Sequence, residues 1–335
     1  MYWRVEDIPD LSYWNPAFDF EHLEALETRR FSALRAAVLY GHTDIVHLLL
    51  QPEHRLPTKD VEYLRAIMSA VQAGSLDFIL LLFEAIGKRQ SDFEGLGNYM
   101  MWQAIRGNQA EVVQMLLVNG VDLHYNPNHT WSGYGALHLA ASLGRANLVG
   151  LLLEQGADPN GGSPRSNCLP IEGAAERGQK DTMDLLLDRG ASATMALYAA
   201  AAGGQSWLMK DLLTRFSAEL TQLIVLQTCL GHAMHSCNLT AMTLLVNAGL
   251  SLNDCYKRDG NRWVSPVDLA ISLNERSWGR AVGPWVIDHL VSLGARPTKL
   301  RDTSGQTDKE AEKRAFRRCR DVTLSERTWD WVGRY

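Results

Sequence analysis

The stretch CLGHAMHSC places Cys229, His232, His235 and Cys237 within nine residues, four side chains of the kinds that bind zinc or move protons. On a helix turning about 100° per residue, the last three lie roughly 300°, 240° and 80° around from Cys229. Ligands spread over that arc cannot converge on one tetrahedral ion, so no metal is expected. What survives is the pair His232 and His235, three apart and on one helix face. Imidazoles titrate near neutral pH, so either could act as a base, with Glu172 or Tyr198 as the acid. The chemistry such a set could run is cofactor-free acid–base work, a cyclisation for example. The standard phosphate-loop, dinucleotide, nucleophile-elbow and zinc-protease motifs are absent, and GLGNYM after Gly95 lacks the third glycine of a dinucleotide loop.

A second cluster is aromatic. HYNPNHTWSGYG, from His124 to Gly135, offers Tyr125, His129, Trp131 and Tyr134 in a polar, turn-rich stretch. Exposed rings cost solubility unless they pack or bind, so these are candidate contact residues.

The elements that must position both clusters repeat along the chain. From Tyr134 to Asn160 the sequence YGALHLAASLGRANLVGLLLEQGADPN reads as two short helices with apolar faces. Gly144 divides them, and GADPN ends the second, with Gly156 suited to a left-handed stop. Each helix exposes an apolar face that only a neighbour can cover. In composition and order the stretch resembles the ankyrin repeat, whose period is 33 residues and whose first helix opens T-P-L-H-x-A. Gly135, Ala136, Leu137 and His138 occupy the four opening positions, and Ala140 fills the alanine. The resemblance implies an all-α solenoid of stacked helix-turn-helix units, with short β-hairpin fingers and terminal caps.

About eight repeats can be laid along residues 31–298. The first runs from Phe31 to Leu50, the second from about Asp60 to Ile86, and the third from Asn98 to Asp122 with a one-residue slip at Gly107. The fourth is the stretch above. The fifth covers Leu169 to Ser192 and the sixth Leu197 to Leu213; the third, the seventh, around TCLGHAMHSCN, and the eighth, from Ser265, have lost most of the opening signature. Segments 84–97 and 274–283 read as insertions, the latter with Trp278 between two arginines. Residues 1–30, rich in aromatics, and the charged segment 299–335 fall outside the pattern and read as caps, since an end repeat has one bare apolar face.

In repeat register, His232 and His235 fall where the sixth repeat has Ala199 and Ala202 and the fifth has Gly173 and Glu176. The sixth first helix contains AAAAGG, and the hairpin before it is shortened. A missing finger beside a helix of alanines predicts a hollow over repeats five to seven, walled by Trp131, Tyr134, Arg177, Tyr198, His232 and His235. Aromatic walls with a few polar groups suit a small ligand, and the same residue types make protein hot spots.

The chain has 335 residues, 46% hydrophobic and 21% charged, with a formal net charge of -5. That balance gives no electrostatic footprint for nucleic acid. Five scattered cysteines are no disulfide framework and suit a reducing compartment, the cytoplasm or the nucleus. The N-terminus MYWRVEDIPD lacks a signal-peptide pattern, and no apolar run reaches the ~18 residues of a membrane span. The leading expectation is a protein-interaction module, an adaptor, scaffold or regulator whose concave face binds a protein partner. Its contact residues would be Tyr125, His129, Trp131, Tyr134, Arg177, Tyr198, His232 and His235. The alternative is a small-molecule binder or acid–base enzyme using the groove, with His232, His235, Glu172 and Tyr198 as the working groups. No cofactor is expected in either case.

Overall fold

The computed structural model describes residues 32–54, 61–90, 96–122, 135–161, 168–253, 256–258, 262–267, 269–270 and 284–296. The expected caps at 1–30 and 299–335 and the insertion 274–283 lie outside these residues. The described residues fall into two compact units: one of residues up to 170 together with 184–190, the other of 171–183 and 191 onward.

The first unit is built from helix pairs. They are α1 (Ala33–Leu39) with α2 (Thr43–Leu49), α3 (Val61–Ala73) with α4 (Leu76–Ile86), α5 (Leu96–Gly107) with α6 (Ala110–Val118), and α7 (Ala136–Ser142) with α8 (Ala146–Glu154). First helices stack on first helices, α1 on α3, α3 on α5 and α5 on α7, while α6 packs on α8. Alanines make this close stacking feasible: Ala37, Ala66, Ala70, Ala104, Ala140 and Ala141 are all buried. The second helices supply larger side chains to the same core, among them Val46, Leu82, Leu116 and Leu152, each fully buried.

The second unit contains α9 (Pro170–Glu176), followed in sequence by α10 (Lys180–Asp188). Then come α11 (Ala193–Ala202), α12 (Ser206–Arg215), the single turn α13 (Ser217–Leu220), α14 (Leu223–His235) and α15 (Leu239–Asn247). Here α11 stacks on α14, α12 on α15, and α15 on α16 (Pro284–Ser292). Strands β1 (Tyr256–Arg258) and β2 (Arg262–Val264) pair antiparallel, with Lys257 opposite Trp263, and form one hairpin finger of the expected kind.

The repeat is written most clearly in the turns between paired helices. Gly41, Gly74, Asn108, Gly144, Gly178, Gly204 and Cys237 all have positive φ, at steps of 33, 34, 36, 34, 26 and 33 residues. Asn108 carries the left-handed turn that the sequence suggests for Gly107, which instead ends α5. The short step of 26 lies between Gly178 and Gly204. Between Asp188 and Ala193 the chain has room only for a turn, and Ser192 caps α11 by accepting from the Met195 amide at 3.4 Å. Consequently α11 starts four residues before Leu197, the first residue read as helical from the sequence. The proposed insertion 84–97 narrows as well, because Glu84 to Ile86 belong to α4 and Leu96 and Gly97 to α5.

Side chains at the start of second helices tie successive repeats together. Gln109 donates to the Gln72 carbonyl at 2.7 Å, Arg145 to the Arg106 carbonyl at 3.2 Å, and Gln205 to the Glu176 carbonyl at 3.2 Å. In each case the donor follows one repeat's left-handed turn residue, and the acceptor lies two residues before that of the preceding repeat. These bonds satisfy carbonyls that a helix C-terminus leaves open.

Candidate functional site

The histidine pair sits on α14, where that helix packs on α11. His232 is 7% exposed, and its ring lies 6.0 Å from that of Tyr198, tilted by 36°. Burial, and after it the neighbouring His235, drives the His232 pKa down to about 4. His235, the last residue of the helix, is half-buried; desolvation lowers its pKa also, and its Nε2 has no partner among the described residues. Both rings are therefore neutral near pH 7. Tyr198 is pushed up to about 12, chiefly by burial and then by Cys229, while a hydrogen bond with Thr228 pulls it the other way. Its phenol keeps its proton throughout the physiological range.

Glu172 is buried on α9, and Arg177, in the turn after α9, is exposed. The structure thus brings Tyr198, His232 and His235 together between two first helices. Tyr125, His129, Trp131 and Tyr134 lie outside the described residues. Cys229 is fully buried, and burial raises its thiol pKa well above the ordinary value, so it is chemically quiet. Among the described residues no group of three or more His, Cys, Asp or Glu could hold a metal.

At Ala199, Ala200 and Ala201 the predicted hollow is filled. These residues are 3%, 0% and 0% exposed, and the Ser236 hydroxyl donates to the Ala201 carbonyl at 2.8 Å. One residue past α11, a Cβ placed on Gly203 would lie 2.0 Å from the Glu176 carbonyl oxygen. The small side chains of α11 serve helix contact with α14 and with the end of α9. The sequence pattern carries no signal that distinguishes this from an open space.

A shallow pocket of about 330 Å³ does occur in the second unit, on the second helices instead. Lys180 of α10 and Trp207, Lys210, Asp211, Thr214 and Arg215 of α12 line it. Sequence reasoning, directed at the first helices, missed it. A surface tryptophan one turn before a lysine was the available signal.

Known proteins share the repeat. Residues 100–196 match the family model described as ankyrin repeats (3 copies). The Nuclear factor NF-kappa-B p105 subunit of Mus musculus is 33% identical over 131 residues, 38% of this chain and 13% of that protein. The Ankyrin repeat and KH domain-containing protein mask-1 of Caenorhabditis elegans is 26% identical over 261 residues, 74% of this chain and 10% of that protein. The crystal structure of the human ASB11 ankyrin repeat domain aligns with a TM-score of 0.42 at 18% identity, covering 80% of this chain and 100% of that one. The aligned regions span 13% and 10% of the two curated relatives' own length. Residues 100–196 thus carry ankyrin repeats, and the described residues are mainly helical. Ankyrin repeats are generally protein–protein interaction modules. No described helix is long and apolar enough to cross a membrane.

Proposed function

We propose that this protein is an interaction module, an adaptor or scaffold that recognises a protein partner through the concave surface made by its hairpin fingers and first helices. The observation that carries the reading is the state of the histidine cluster. A general base must be reachable and must titrate near the working pH. His232 is buried with a pKa of about 4, and Tyr198 holds its proton to about 12. Groups of this kind pack and orient; they do not shuttle protons at pH 7. What first helices offer a partner is a pre-ordered surface, which loses little conformational entropy on binding. In the second unit that surface includes exposed Arg177 and half-buried His235, whose unpartnered Nε2 is a ready hydrogen-bonding group. The aromatic stretch would add Trp131 and Tyr134 as anchors, with Tyr125 and His129 as further contact residues.

The test is affinity capture from the source organism's lysate with wild type and two variants, Arg177→Glu/His235→Ala and Trp131→Ala/Tyr134→Ala. Bound proteins and extracted small molecules are identified by mass spectrometry. A protein held by wild type and lost by either folded variant supports the reading. Retention of a small molecule with no protein partner overturns it.

A further inference from the structure

The pocket on α10 and α12 lies on second helices, away from the first-helix residues considered above, and its chemistry is different. Asp211 is the hub: its carboxylate accepts from Lys180 Nζ at 2.7 Å and from Arg215 at 3.3 Å. The Lys180 hydrogen bond, foremost, holds its pKa below the usual carboxylate value. Arg215 is held from the other side as well, its guanidinium 5.4 Å from the centre of the Phe216 ring. Two long cationic side chains are thereby fixed in place around one acid. Lys210 adds a third cation that has no ion-pair partner among the described residues, and Trp207 contributes an indole that is 52% exposed. Three cations and one carboxylate line the pocket, on a chain whose net charge is -5.

An exposed indole beside an unpaired ammonium has two complementary needs, an apolar contact and an anion. The pocket is open and shallow, so a segment of chain laid across it can satisfy both with neighbouring side chains. We infer that this face is a second docking site, for an acidic peptide segment of a protein partner that sets a leucine, isoleucine or phenylalanine on Trp207 and a glutamate or aspartate on Lys210. Asp211 acts as the positioning residue, since its carboxylate accepts from both Lys180 and Arg215. The site is independent of whatever the first-helix surface binds.

The full-length protein is tested against an immobilised array of short peptides in which glutamates flank a single leucine, isoleucine or phenylalanine. A matched array carries glutamine for glutamate, and single-stranded DNA serves as a generic polyanion. Wild type should retain members of the acidic array, discard the glutamine array, and release peptide as salt rises through the range where surface charges are screened. Lys210→Glu and Trp207→Ser should each weaken retention about tenfold with unchanged helical circular dichroism, because both side chains are exposed. Arg177→Glu/His235→Ala should leave it unaltered, which separates this site from the first-helix surface. Three results overturn the proposal: no acidic peptide retained by wild type, full retention by folded Lys210→Glu, or DNA held as tightly as peptide.

Discussion

At the scale of single residues, burial of His232 couples stability to pH, and the sign can be worked out. Unfolded, the imidazole titrates near its ordinary 6.5; folded, at about 4. Between those values the unfolded chain binds the extra proton, so stability rises with pH there and falls as the solution is acidified from about 6.5 to about 4. The shift corresponds to a loss of up to about 3 kcal/mol. His235 is shifted in the same direction and adds to it. Replacing His232→Leu should therefore flatten the dependence of urea-unfolding free energy on pH between 7 and 4.5 by roughly that amount. Equal slopes for the two proteins would mean that His232 is charged in the folded state. Asp211 contributes in the same sense at lower pH, since its carboxylate pKa is depressed. It is partly exposed, however, and Asp211→Asn should cost under about 1 kcal/mol at neutral pH.

At the scale of elements, two glycines in neighbouring first helices should respond oppositely to the same substitution. Gly203 ends α11 with an ordinary helical φ of -78°, so an added methyl brings no backbone strain. It would, however, meet the Glu176 carbonyl oxygen at 2.0 Å, and backbone has to move. Gly203→Ala should destabilise by at least about 2 kcal/mol in urea titration. Gly231 lies inside α14, where a methyl would meet nothing within 4 Å. Gly231→Ala should instead stabilise by roughly 0.5–1 kcal/mol, the ordinary gain of alanine over glycine in a helix interior. A cost at Gly231 comparable to that at Gly203 would show that the space around α14 has been misjudged.

These elements also show what the sequence could and could not convey. Helix pairing was legible because amphipathic stripes and turn glycines recur at one period; even the truncated step before α11 was visible as a shortened spacing. Register slipped by one residue at Asn108, where the turn residue is not glycine, because a positive φ leaves little compositional trace at such a residue. The bracing bonds of Gln109, Arg145 and Gln205 stayed hidden because two residue types do the same job. The shared face of His232 and His235 followed from their spacing of three. Their burial did not, since it depends on which neighbour covers α14. For the same reason AAAAGG could be read as a hollow when it is a close contact: small side chains permit both, and only the position of the end of α9 decides.

At the scale of the whole molecule, a repeat array has no single central core, and each helix pair is stabilised by the pairs beside it. Damage should then stay local. Leu82, fully buried in α4, and Cys229, fully buried in α14, belong to different units and allow a direct test. Leu82→Ala should cost about 2–5 kcal/mol locally by leaving a cavity. Amide exchange should accelerate in α3, α4 and α5, while peptide-resolved thiol labelling of Cys229 keeps its wild-type rate. Gly203→Ala should do the reverse, exposing the Cys229 thiol to labelling while leaving exchange in α3 to α5 unchanged. Acceleration of Cys229 labelling by Leu82→Ala, in step with exchange in α4, would instead reveal one cooperative transition. The first outcome has a functional consequence. A module whose segments open independently can present one folded binding surface while another part of the array is disordered or being replaced. Variants aimed at the α10–α12 pocket would then report on that pocket alone.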